Sequence, residues 1–167
     1  RQVNIALANR FATSLYSYQI PAKGVNVWQA TEFTSQVNVG SVQLNPTSGE
    51  GAPVAFAIFG LLNGEGVVVS EASVPATGTG TAFRMYAEAS GVPFEVGAIQ
   101  SGFAIRNIGF DNATVNLELT DLNGALIDTS SIVVPGSGQV ARFVAHIFPA
   151  PIQGILSVSS PEPIAVT

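Results

Sequence analysis

The sequence has no cysteine, one histidine, one lysine and few charges of either sign. The missing thiols exclude disulfides, thiolate metal sites and cysteine nucleophiles together. Charged residues reach 10%, where about 25% is usual. Long solvated helices, whose outer faces need Lys and Glu, are therefore not expected. Six cations against eleven acids leave a net charge of −5, the wrong sign for a nucleic-acid module. The longest apolar stretch, residues 54–62, falls well short of the roughly 20 residues that cross a bilayer as a helix, so no membrane insertion is expected. No basic segment followed by an apolar one marks a signal peptide, and the start at Arg1 points to a processed or excised chain.

What is present is apolar. Hydrophobic residues make up 47% of 167 positions, a length suited to about one domain that can bury roughly two thirds of its unfolded surface without a covalent staple. A soluble monomer ordinarily carries about 25–35% charged residues on its surface. This chain must rely on Ser, Thr, Asn and Gln instead, or cover part of its surface with a partner.

Nearly every segment alternates at period two or forms a short β-branched run that Gly, Pro or Asn soon breaks. In residues 2–8, Val3, Ile5 and Leu7 share one face. Weaker strands are expected at 14–20 and 25–29, on either side of the Pro21–Gly24 turn. Another is expected at 36–44, with a bulge where parity changes at Gly40-Ser41. Strands at 54–61 and 66–72 join through Asn63-Gly64-Glu65-Gly66, and a further turn from Pro75 leads to 81–88. Strands at 102–108, 113–121 and 125–134 follow, the last two joined by Asp121–Gly124, where Asn-Gly suits a type I′ turn. Strands at 152–159 and 163–167 close the chain. One segment differs: in 138–148, Val140, Phe143, Val144 and Ile147 have helical spacing, and Pro149 and Pro151 end it. The pattern predicts an all-β, antiparallel two-sheet sandwich, Ig-like or jelly-roll-like, with one short helix near 138–148. An up-and-down barrel is the alternative. No repeat of solenoid or propeller period is visible.

Catalytic motifs are missing. His146 stands alone in the helical segment, no serine lies in G-x-S-x-G or S-x-x-K, and Gly136-Ser137-Gly138 reads as a turn. Glu71 and Glu88 flank the expected hairpin of 66–72 with 81–88, the best carboxylate pair on offer. A cross-strand Glu71–Arg84 ion pair is the simpler account. Asp111, Asp121, Asn123 and Asp128 could supply oxygen ligands to calcium, although Asp and Asn also serve turns. No catalytic residue, cofactor or metal site is therefore assigned. Trp28, with Tyr16 and Tyr18 nearby in sequence, is a candidate ligand contact, core packing being the alternative. Asn112-Ala113-Thr114 matches a glycosylation acceptor.

The strings VVVSEASVPATGTGTAFRMYAEASG (67–91), IQSGFAIRNIG (99–109), ATVNLELTDLNG (113–124), VVPGSGQVARFVAHIFP (133–149) and IQGILSVSSPEPIAVT (152–167) carry a resemblance. Together they resemble a β-sandwich module that recurs in large secreted or surface-exposed bacterial proteins. The resemblance covers roughly residues 40–167 and rests on many weak positions. It implies an Ig-like, extracellular, often repeated domain without assigned chemistry.

The expected organisation is residues 1–39 as N-terminal strands, a candidate assembly segment, followed by a sandwich over 40–167. The expected function is a non-enzymatic structural subunit of a secreted or cell-surface assembly or filament. Sheet edges would join its copies into a homo-oligomer or polymer. Val3, Ile5 and Leu7 would form a donor strand filling a neighbour's groove, unless 2–8 pairs within its own sheet. The alternative is an adhesive module binding a glycan or surface ligand through Trp28 and the loops at 45–53 and 89–100.

Overall fold

The computed structural model describes residues 5, 7, 13–30, 40–47, 51, 53–92 and 95–167. The chain divides into two compact units, Arg1–Val42 and Gln43–Thr167.

In the first unit the described backbone makes two isolated antiparallel bridges, Ile5 with Thr13 and Leu7 with Ala30. No continuous strand forms over 14–29 or 40–46, so the expected strands at 14–20 and 25–29, and the described part of 36–44 with its bulge, are not formed. Their apolar residues alternate, but alternation yields a ladder only where a second strand is in register.

The second unit is built from antiparallel strands. β1 (Phe56–Leu62) and β2 (Val68–Pro75) make a two-stranded sheet. The seven-stranded sheet contains β3 (Gly80–Ser90), β4 (Ile99–Gln100), β5 (Gly102–Asn107), β6 (Ala113–Thr120), β7 (Leu126–Val134), β8 (Gln139–Phe143) and β9 (Ile152–Val166). The two strands expected at the end of the chain are one, β9, which organises the sheet. Ser159 pairs with Ala82 of β3 on one edge and Asn116 of β6 on the other. Further on, Ile164 pairs with Gly80 of β3 and Asn107 of β5. β6 and β5 thus occupy successive stretches of the same edge of β9. The change falls at Ser160-Pro161-Glu162-Pro163, where two prolines have no N–H to give a ladder.

Each inner strand buries alternate residues, as a layer with one face on a core must. Ala113, Val115, Leu117 and Leu119 of β6 meet Phe103 and Ile105 of β5, Ala87 and Ala89 of β3, and Leu156, Val158, Ile164 and Val166 of β9 in one cluster closed by Val144 and Phe148. The fold is the expected all-β antiparallel sandwich, with no closed barrel among the described residues. Its helix is shorter than the spacing predicts. Residues 139–143 pair with β5 as β8, and only Val144–His146 turn, as a single 3-10 turn. Val144 and Phe148 are buried while Phe143 is exposed, so the apparent helical spacing joins a strand to a turn.

Both tight hairpins share a turn. The Asp121 carboxylate accepts hydrogen bonds from the N–H groups of Asn123 and Ala125, each at 2.8 Å, and Gly124 N–H donates to the Asp121 carbonyl at 3.1 Å. The Asn63 side chain accepts likewise from Glu65 and Val67, with Gly66 N–H on the Asn63 carbonyl. Only the glycines, Gly66 (φ 78°) and Gly124 (φ 88°), take positive φ in these turns. The Asp121 turn is therefore of type I closing on a glycine bulge, not the type I′ turn that Asn-Gly suggested.

Candidate functional site

The catalytic candidates do not converge. β2 pairs with β1, whereas β3 pairs with β9 and β4, so 66–72 and 81–88 do not form a hairpin. Glu71 stands opposite Gly60 in one sheet, while Arg84 stands opposite Ser157 in the other, its Nε donating to the Ser157 hydroxyl at 3.3 Å. Neither the Glu71–Glu88 pair nor the Glu71–Arg84 ion pair is formed. The short connection 76–79 carries β2 and β3 into separate sheets, and the turn residues from Pro75 to Gly80 do not encode whether a hairpin or a sheet change follows. His146 is exposed at the end of the 3-10 turn with its ring edge-on to Phe143, centroids 5.4 Å apart.

Among the described residues no three His, Asp or Glu side chains are grouped to hold a metal ion. Asp121 serves its turn, and Asp128 accepts the N–H of Thr129 at 2.7 Å. The N–H of Ala125, with the backbone and side chain of Asn123 and the N–H of Gly124, holds the Asp121 carboxyl below its ordinary range against an opposing desolvation. This is backbone capping, not a ligand cage.

Two surfaces remain. The first is the outer face of the sheet, where register places Arg84, Ser157, Glu118 and Thr129 side by side across β3, β9, β6 and β7. The next row holds Ala82, Ser159, Asn116 and Ser131. Beyond Arg84 on the same face, Tyr86 donates from its hydroxyl to Glu88 at 2.7 Å and accepts from the Gln153 amide at 3.2 Å. This shallow polar face escaped the sequence reading because strand order, not local pattern, brings Arg84 beside Ser157.

The second surface is the β1–β2 hairpin. Phe56 and Ile58 point to one side and Phe59 to the other, and all three are exposed, as are Leu62 and Val68. A two-stranded ribbon exposed on both faces lacks the apolar layer that normally stabilises one.

In the first unit, Tyr16 and Tyr18 both approach Trp28, ring centroids 6.1 and 6.2 Å away, and the Tyr16 hydroxyl donates to the Ile5 carbonyl. The Trp28 candidate is thus part of an aromatic trio with its indole partly exposed. Ile5 and Leu7 of the proposed donor strand are half-buried and make the bridges given above, while Val3 lies outside the described residues.

Asn107 is a polar residue the sequence reading passed over. It is wholly buried at the end of β5. Its amide donates to the carbonyls of Asp111 at 2.7 Å and Val134 at 3.1 Å, and its side-chain oxygen accepts from Gly109 N–H at 2.9 Å. It ties the β5–β6 connection to β7. The signal was an Asn in phase with Phe103 and Ile105 on the buried face.

No helix among the described residues is long and apolar enough to cross a membrane. No family model matches the chain, and no curated protein matches it. Among solved structures, the Anabaena sensory rhodopsin transducer is similar over 52% of this chain and 90% of its own, with 19% identity and a TM-score of 0.44.

Proposed function

We propose that this chain is a non-enzymatic structural module, a secreted or cell-surface subunit joined to its neighbours through β-strand edges and the apolar ribbon. The observation that carries the reading is the β1–β2 hairpin, whose Phe56, Ile58 and Phe59 are exposed on its two faces. Contiguous apolar surface on a folded protein marks a contact site, and a sheet edge accepts a further strand through main-chain hydrogen bonds. The scarcity of charge agrees with a surface that neighbours partly cover. Light scattering at rising concentration tests it. The native chain should form oligomers or polymers, and a double substitution Ile58→Lys, Phe59→Lys should return it to monomer with the seven-stranded sheet intact. A native chain that stays monomeric at high concentration refutes the reading.

A second reading, an adhesive module, draws support from the aromatic trio around Trp28 and the polar face around Tyr86. Glycan binding lost in Trp28→Ala or Tyr86→Ala, without loss of thermal stability, would favour it.

A further inference from the structure

The N-terminal region and the end of the chain carry the same landmarks in the same order at nearly constant spacing. Val3-Asn4-Ile5-Ala6-Leu7-Ala8 matches Val115-Asn116-Leu117-Glu118-Leu119-Thr120. Pro21-Ala22-Lys23-Gly24 matches Pro135-Gly136-Ser137-Gly138. Gly40-Ser41-Val42-Gln43-Leu44 matches Gly154-Ile155-Leu156-Ser157-Val158, and Pro53-Val54-Ala55-Phe56-Ala57 matches Pro163-Ile164-Ala165-Val166-Thr167. The separation is far longer than a solenoid period, and the identities are few.

Backbone geometry supports the match independently. Among the described residues only Lys23 (φ 60°) and Ser137 (φ 54°) combine a side chain with positive φ, a conformation rare outside glycine. Both occupy the third place of a Pro-x-x-Gly turn, in which Gly24 and Gly138 N–H donate to the Pro21 and Pro135 carbonyls at 2.8 and 2.9 Å. Ile5 also bridges antiparallel to a residue further along its own unit, as its counterpart Leu117 does in the β6–β7 hairpin.

The two copies differ in what covers them. Leu156, Ile164 and Val166 of β9 are 0%, 0% and 3% exposed, because β3 and β5 pair along that strand and the core closes over it. Their counterparts Val42, Val54 and Phe56 are 77%, 100% and 68% exposed, and 40–46 form no strand. The same sequence pattern is a central strand in one place, while in the other 40–46 join no ladder and Phe56 and Ala57 pair on one edge only, with β2. No stretch within 1–57 corresponds to β3 or β5.

We propose that residues 3–57 are a second, partial copy of the segment 115–167. Its counterpart of β9, described at 40–47 and 53–57, is a docking surface for a strand of the β3 type along 40–47 and for one of the β5 type on the edge of 54–57 that β2 leaves open, both from another copy of this module. The inference rests on the edge-joined reading above and names the partner strand. By register, Val42 takes the place of Leu156 opposite Met85, and Leu44 that of Val158 opposite Phe83.

The test adds a synthetic peptide spanning residues 79–108 to the full chain and follows amide hydrogen exchange. Exchange at 40–47 and 54–57 should slow by roughly tenfold or more. Val42→Asp, at an exposed site, should abolish the protection without changing the melting of the seven-stranded sheet. Because the chain has no cysteine, V42C in the chain should form a disulfide with a peptide carrying M85C and not with one carrying S90C. No protection at 40–47, protection confined to 152–166, or cross-linking without regard to register would overturn the proposal. Polymers that form while the peptide fails to bind would overturn it and leave the edge-joined assembly standing. A monomer that binds the peptide in register would support it and remove the assembly.

Discussion

Replacing Asn107 by alanine tests how the β5–β6 connection is tied to β7. The side chain makes three hydrogen bonds, two as donor to the carbonyls of Asp111 and Val134 and one as acceptor from Gly109 N–H. Each is worth about 0.5–1.5 kcal/mol net, more where the abandoned partner stays dry. The Val134 contact is buried and the other two are partly buried, so water can repair part of the loss. A cost of about 2–4 kcal/mol follows, which for a domain of this size lowers the melting temperature by roughly 6–16 °C. Circular dichroism reports mostly the strand-rich second unit, while Trp28, the single tryptophan, reports the first. The loss should appear in the dichroism transition and leave tryptophan fluorescence unmoved. Asn107→Asp sharpens the test, because a carboxylate cannot donate to the two carbonyls and must face them charged. Burial and those carbonyls raise its folded pKa, so this variant should lose stability relative to Asn as pH rises above about 4, the unfolded value. A melting temperature within about 2 °C of the native value for the alanine variant, or a pH-independent aspartate variant, would refute the reasoning.

The other predictions concern the backbone and its turns. A Cβ at Gly154 would stand 2.0 Å from the Thr120 carbonyl oxygen, so Gly154→Ala should cost about 3 kcal/mol or more in denaturant unfolding by prising β6 from β9. Gly64→Ala, with nothing within 4 Å, should stay within about 0.5 kcal/mol of native. Ser137→Gly removes a side chain held at positive φ and should gain about 0.5 kcal/mol, measured as a small rise in melting temperature. The depressed folded pKa of Asp121 contributes stability above the unfolded carboxylate value, and this contribution is lost as pH falls through the lower folded one. Asp121→Asn should flatten that part of the acid unfolding curve.

How much of this was legible in the sequence depended on whether the cause was local. Strands β5 and β6 were readable because buried residues alternate along them up to Leu119, and β7 because an Asx-led, glycine-closed turn joins it to β6. The seams misled where one residue serves two roles. Phe143 completes β8 and also falls in helical phase with Val144 and Ile147, so a strand followed by a 3-10 turn mimicked a helix. Strand order was invisible. The turn after Pro75 leads equally well into a hairpin or into another sheet, and with the hairpin went the expected Glu71–Arg84 pair. The polar rows across the outer face depend wholly on that order.

The N-terminal region gives the same lesson from the other side. Val42 and Leu44 carry the alternation of a central strand, as Leu156 and Val158 do, yet only the latter form one. The difference lies not in propensity but in the presence of β3 and β6 on either edge of β9. A strand's hydrogen bonds and burial are supplied by its neighbours, so pattern states what a segment can become once they arrive. The apolar surplus read from composition thereby has a place in the molecule. Part of it sits on Val42, Val54, Phe56, Ile58 and Phe59, in segments with strand pattern and too few strands beside them, and part on loop residues such as Leu15, Val96 and Phe110. The middle of edge strand β7 is polar, with Asp128, Thr129, Ser130 and Ser131 in sequence, although Leu126, Ile127 and Val133 toward its ends are exposed. The ribbon differs in having no buried layer on either face, with Phe56, Ile58 and Phe59 all exposed, which is why the proposed contact is tested there.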